Sequence, residues 1–94
     1  MFESKRYMTC GVQAGIPFEL QLFMWALIDE MPEPKDSFQI FRLTVNNGKQ
    51  HVFHESEQPE YQAEYDIDIA NPVTAKIYVI DDETHSTMLL AEEY

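Results

Sequence analysis

The chain has a single cysteine, Cys10, among its 94 residues. No intramolecular disulfide can form, which suits a reducing compartment. Only three glycines are present, so phosphate cradles are hard to build, and neither a P-loop nor a G-x-G-x-x-G motif occurs. Basic residues are also scarce. Six Lys and Arg face seventeen Asp and Glu, for a formal net charge of -11. A surface of that sign repels nucleic acid and anionic membrane alike. Direct nucleic-acid or membrane binding is therefore not expected, and a protein partner or a second copy fits better. The longest apolar stretch, Leu22 to Ile28, falls far short of the ~20 residues that cross a bilayer. Met1 to Cys10 carries Glu3, Lys5 and Arg6 and has no apolar core of the kind a signal peptide needs. A cytoplasmic location is expected.

What is present points to a folded domain. Hydrophobic residues make up 45% of the chain and aromatics 13%, a content that acidic disordered chains lack. A chain of this length is one domain, here residues 1–94.

Periodicity places the elements. Arg6 to Cys10 reads as a first strand ending at Gly11. Pro17 sits where a first helical residue costs nothing by lacking an N–H, and Glu19 suits the positive end of the helix. Leu20, Phe23, Met24, Leu27, Ile28 and Met31 then recur at steps of three and four, which makes one apolar face. Pro32 and Pro34 end the helix. Phe38 to Val45 and Lys49 to Glu55 flank Asn47-Gly48, a type I′ hairpin signal that sets Leu43 opposite Val52 and Arg42 opposite Phe53. Glu60 to Ile69 alternates strictly, with Tyr61, Ala63, Tyr65, Ile67 and Ile69 on one side and acidic or amide residues on the other. Ala75 to Ile80 is apolar at both parities, as a central strand is. Asp81 to His85 is a polar loop, and Ser86 to Ala91 reads as a closing strand or a short helix, with Thr87 and the short connection favouring the strand. The result is an α+β domain: one helix packed on a mainly antiparallel sheet of about five to six strands, in the order strand, helix, strands.

Candidate chemistry is thin. Cys10, His51, His54 and His85 are the softer metal ligands, but no close pair such as C-x2-C or H-x3-H occurs. His51 and His54, three apart on a strand, point to opposite faces. Asp81-Asp82-Glu83 lacks the alternation and glycine of a calcium loop. No motif gathers a nucleophile, a base and an orienting group. No metal, cofactor or catalytic residue is assigned, and the protein is not expected to be an enzyme.

Two features stand out. Phe18, Leu22 and Trp25 form a second apolar stripe on the helix, beside Asp29 and opposite the main face. A helix lying on a sheet needs only one such stripe. The second is a candidate partner-binding or homodimer contact, unless neighbouring segments of the chain cover it. Glu60, Glu64, Asp66 and Asp68 form an acidic row along one strand. Alternate residues of a strand repeat every ~6.8 Å, about twice the 3.4 Å phosphate repeat of one DNA strand. That row is a candidate nucleic-acid mimic for a basic protein, against the plainer reading of a solvated edge that discourages strand pairing.

The opening Met1-Phe2-Glu3-Ser4-Lys5-Arg6-Tyr7, the segment Glu19-Leu20-Gln21-Leu22-Phe23 with Trp25 and Leu27-Ile28-Asp29, and the ending Ser86-Thr87-Met88-Leu89-Leu90-Ala91-Glu92-Glu93-Tyr94 resemble domain-of-unknown-function family 960. The resemblance covers nearly the whole chain. It implies a Gram-positive bacterial source and a stand-alone cytoplasmic domain, and it carries no assigned activity. The function expected is that of a non-enzymatic protein-interaction module, with the acidic mimic as the alternative.

Overall fold

Side-chain parity decides which side of each strand is buried, and five of the six strands turn their more buried residues to one shared side. The computed structural model describes residues 1–94. The strands are β1 (Lys5–Met8), β2 (Phe38–Asn46), β3 (Lys49–Glu57), β4 (Glu60–Ile67), β5 (Ala75–Asp81) and β6 (His85–Leu90). They lie in the order β1-β6-β5-β2-β3-β4. Phe41, Leu43, Val52, Ile77, Val79 and Met88 point to one side and are almost fully buried. Two helices, α1 (Cys10–Gly15) and α2 (Phe18–Asp29), cover that side. They contribute Val12, Leu20, Met24, Leu27 and Ile28 to the same core cluster.

The fold class stands, with two corrections. The expected single helix is two, because Cys10 to Gly15 coils instead of ending a strand. Thr9 caps it: its hydroxyl accepts from the Val12 N–H at 3.3 Å. Val12 then anchors the turn in the core, which outweighs the poor helix propensity of Gly11 and Gly15. Cys10 is accordingly an exposed residue at a helix start, not a strand end. The first long-helix residue is Phe18, with Pro17 in extended conformation just outside. The sheet is also mixed. β1 runs parallel to β6, while the other four pairings are antiparallel.

The hairpin β2–β3 has the register that Asn47-Gly48 demands. Asn46 faces Lys49, Leu43 faces Val52 and Arg42 faces Phe53. Both turn residues have positive φ, 53° and 78°, which glycine and asparagine tolerate best. β5 lies inside the sheet, as its apolar parity predicts. The link from β4 to β5 passes two intervening strands, about 14 Å of lateral travel. Gln50 pins it: its side-chain amide accepts from the Val73 N–H at 2.7 Å and donates to the Val73 carbonyl at 3.0 Å.

The two ends of the chain meet at Thr9. Its hydroxyl donates to Glu93 at 2.6 Å, while the Glu93 carboxylate also accepts from the Leu90 N–H at 2.8 Å. Gly11 passes so close that an added Cβ would sit 2.7 Å from that carboxylate. Replacing Thr9 by Val removes the helix cap and this link together. Thr9→Val is expected to cost about 1 kcal/mol, a fall of roughly 5 °C in Tm for a domain of this size, measurable by thermal denaturation.

Candidate functional site

The helix stripe is built by the angular step of α2. Leu20, Met24, Leu27 and Ile28 turn into the core, which leaves Phe18, Leu22 and Trp25 on the outer flank. They differ in environment. Phe18 is 64% exposed and Leu22 52%. Trp25 is half-buried and packs against the core cluster. The Arg6 guanidinium of β1 lies 4.6 Å from the centre of the Trp25 ring. It forms an ion pair with Asp29 and donates to the Phe2 carbonyl at 3.0 Å. Arg6 thus ties the edge strand to the outer side of α2, with Trp25 beneath it as a cation–π partner.

The acidic row lies on the opposite side of the sheet. β4 is an edge strand, and Glu60, Gln62, Glu64 and Asp66 all project from its open face, with Asp68 exposed just beyond it. The row is not a ladder of free carboxylates. His51 on β3 stands between two of them, its Nδ1 2.7 Å from Asp66 and its Nε2 3.0 Å from Glu64. The hydrogen bond to Asp66 is the main cause that raises the His51 pKa above the ordinary histidine value, with Glu64 adding to it. An imidazole that bridges two of the carboxylates leaves them less free to imitate a phosphate track.

The chemically reactive side chains are dispersed. Cys10 is exposed at the start of α1. His54 is buried against Phe41, with ring centres 4.2 Å apart. His51 and His85 lie on the open side of the sheet. No group of three His, Cys, Asp or Glu side chains is arranged to hold a metal ion. Two open clefts, of about 490 and 280 Å³, flank the amino terminus. The larger holds Asp36, whose carboxylate accepts from the N–H groups of Phe38, Glu57 and Gln58 at 2.8–3.1 Å. Burial pushes its pKa up, but these backbone donors outweigh it and hold the carboxyl below its usual range. Asp36 is a loop anchor in this arrangement.

The surface that sequence reasoning missed is the open face of the sheet itself. Phe38 and Ile40 on β2, Phe53 on β3, and Tyr78 and Ile80 on β5 all project there, half-buried by one another. Leu89 on β6, opposite Tyr78, belongs to the same face but is buried. Tyr94 lays its ring 5.5 Å from Phe38 and 5.4 Å from Tyr78, yet remains 76% exposed. A signal was present in the sequence. β2 and β5 are apolar at both parities, while the helical residues suffice to cover only one face.

These features define a class: a small α+β protein with a six-stranded mixed sheet, two helices on one side and an apolar patch on the other. The family model described as a staphylococcal protein of unknown function (DUF960) matches residues 5–93, and the chain belongs to that family. The crystal structure of a protein of unknown function from Enterococcus faecalis shares the fold. Its TM-score is 0.85 at 27% identity, over 97% of this chain and 91% of that one. No curated protein matches the sequence significantly. No helix is long and apolar enough to cross a membrane.

Proposed function

We propose that the chain is a non-enzymatic cytoplasmic protein-interaction module, and that it pairs with a second copy of itself through the outer flank of α2. The observation that carries this reading is the exposure of Phe18 and Leu22 on a helix whose other side is fully committed to the core. Large apolar side chains grouped in this way mark contact sites. Ala26 is exposed one turn beyond Leu22 on the same flank. In a two-fold, antiparallel pairing centred near Leu22, Phe18 of each copy meets the small Ala26 of the other, which is the self-complementarity an isologous contact requires. Asp29 closes the stripe with its charge matched by Arg6, so pairing brings no unmatched carboxylate from that position into the contact.

Light scattering tests the proposal on the wild type and on a Phe18→Ser/Leu22→Ser variant, at low and high salt. The expected result is a wild-type dimer that resists salt, because apolar contacts are not screened, and a monomeric variant with an unchanged circular dichroism spectrum. Phe18 and Leu22 make a cleaner test than Trp25, since Trp25 also packs on the core. A wild type that stays monomeric at every concentration overturns self-pairing. A variant that stays dimeric moves the contact off α2.

A further inference from the structure

We propose that self-pairing continues along the free edge of β1: the β1 strands of two copies hydrogen-bond antiparallel about the two-fold axis that relates their α2 helices, and the sheet runs unbroken through the dimer. This edge pairing rests on the pairing through α2 and adds the second half of the same contact.

A stable interface covers about 800 Å² of each partner. Phe18 and Leu22 are already part-covered, and together they supply on the order of 200 Å². The contact must extend beyond the stripe, and β1 is what lies beside it. Arg6 of β1 pairs with Asp29 and stands over Trp25, both on the flank that carries Leu22. The other flank of α2 turns to the far edge of the sheet, where the Phe23 ring lies 5.7 Å from that of Tyr65 on β4.

The backbone of this border is open. β1 is the outermost strand on its side, and all four of its residues are exposed. Successive residues of a strand turn their backbone groups to alternate edges. Thr9 donates its N–H to the Met88 carbonyl of β6 at 3.1 Å, so Lys5 and Tyr7, of the same parity, turn to β6 as well. That leaves the N–H and C=O groups of Arg6 and Met8 on the free edge.

The edge is complementary to itself. With Tyr7 opposite the Tyr7 of the other copy, on the axis, Arg6 falls opposite Met8 and Lys5 opposite Thr9. All four outward groups of each copy then pair, and the two tyrosines form a cross-strand aromatic pair. No like charges face each other. A shift one way would set Arg6 against Arg6, and a shift the other way would set it against Cys10, where α1 has begun. Lys5 and Arg6 guard the edge against unrelated strands. β1 also holds two of the six basic residues and no carboxylate, so it is a border at which a molecule of net charge -11 can approach its own kind.

Hydrogen exchange read by NMR, beside light scattering, tests this on the whole chain. In the wild-type dimer the Arg6 and Met8 amides should exchange at least tenfold more slowly than in the monomeric Phe18→Ser/Leu22→Ser variant. The Tyr7 amide, bound to β6 in both, should change far less. Met8→Pro removes one outward N–H at a position where an edge strand tolerates proline. It should raise the dimer Kd about tenfold, the loss of one hydrogen bond from each copy, with the circular dichroism spectrum unchanged. Tyr7→Lys, at an exposed side chain, should also weaken the dimer by setting two lysines face to face, and it serves where Met8→Pro does not fold. A dimer whose Arg6 and Met8 amides exchange as fast as in the monomer overturns the edge pairing and leaves α2 as the whole contact. So does a dimer indifferent to both substitutions. A wild type that is monomeric at every concentration overturns both readings, whereas a double variant that stays dimeric with Arg6 and Met8 protected sinks the α2 contact and keeps the edge.

Discussion

The stability of the wild type and of His54→Phe should diverge as pH falls from 7 to 4. His54 is fully buried. Its Nε2 lies 2.7 Å from the Gln39 side-chain oxygen, and the Gln39 amide nitrogen is committed to the Asp36 carbonyl at 2.8 Å. The ring must therefore donate from Nε2, which leaves Nδ1 as the acceptor in the neutral form. That Nδ1 is buried with no hydrogen-bond partner. A proton there would place a cation between Phe41 and Tyr61 with nothing to compensate it. Burial lowers the His54 pKa to about 4.

The sign follows from linkage. Between pH 6.5 and 4 the unfolded chain binds a proton at this histidine and the folded chain does not, so acid favours unfolding. The loss is about 2 kcal/mol from pH 7 to pH 5 and about 3 kcal/mol by pH 4, a large part of the stability of a domain this small. His51 acts in the opposite direction. Its folded pKa is raised, so its contribution is complete below the unfolded value near 6.5 and is lost as pH climbs through the folded value. Urea unfolding at one-unit steps from pH 9 to pH 5 checks the pair. His54→Phe should flatten the acid limb relative to the wild type whatever its own stability. His51→Gln should leave that limb and flatten the rise in stability seen on going from alkaline to neutral pH. An acid limb that is unchanged in His54→Phe sinks the assignment.

Gln50→Leu should cost about 3 kcal/mol, for a reason that has little to do with side-chain volume. Gln50 is fully buried. Its amide nitrogen donates to the carbonyls of Thr44, His51 and Val73 at 2.9–3.1 Å, and its oxygen accepts from the Val73 N–H. Leucine fills similar space and satisfies none of them. Both backbone groups of Val73 lose their partner, and each unsatisfied buried group costs roughly 1–3 kcal/mol. The segment 68–74 would loosen from the end of the sheet, and Ile69 and Val73 would loosen from the core with it. Native-state hydrogen exchange offers a local readout: the Val73 amide should exchange at least tenfold faster, while amides at the centre of β2 change only by the global loss. If Val73 exchange is unaltered, the pin is not Gln50.

The same residues show where reading the sequence succeeds and where it stops. The β2–β3 hairpin was legible to the residue, because Asn47-Gly48 names a turn type and a turn type sets a register. The alternation of β4 was equally plain. So was the buried side of α2, whose Leu20, Met24, Leu27 and Ile28 follow the helical period. Within the candidate contact, Phe18 and Leu22 lie outside the buried stripe and are exposed. Trp25 looked the same in sequence. Only the arrival of Arg6 from β1, nineteen positions earlier, separates it from the other two. The buried polar residues Gln39, Gln50 and His54 gave no local sign of burial. Each occupies a core parity in its strand, but a polar residue at such a position reads equally well as an edge. α1 was missed because its cap and its single anchor, Val12, carry less local signal than the surrounding β-formers.

By itself, then, the sequence determined the elements whose shape is written in neighbouring residues: the long helix, the tight hairpin, the alternating edge strand, the acidic balance and the family. Tertiary structure alone decided the parallel pairing of β1 with β6, the burial of Phe2 and His54, and the choice of which sheet face the helices cover. The physical reason is range. Turn and helix preferences act over a few residues, whereas strand pairing across some eighty positions is decided by how much apolar surface the whole chain can bury at once. Two strands apolar on both sides and two helices cannot bury everything, and the second face of the sheet is left at the surface.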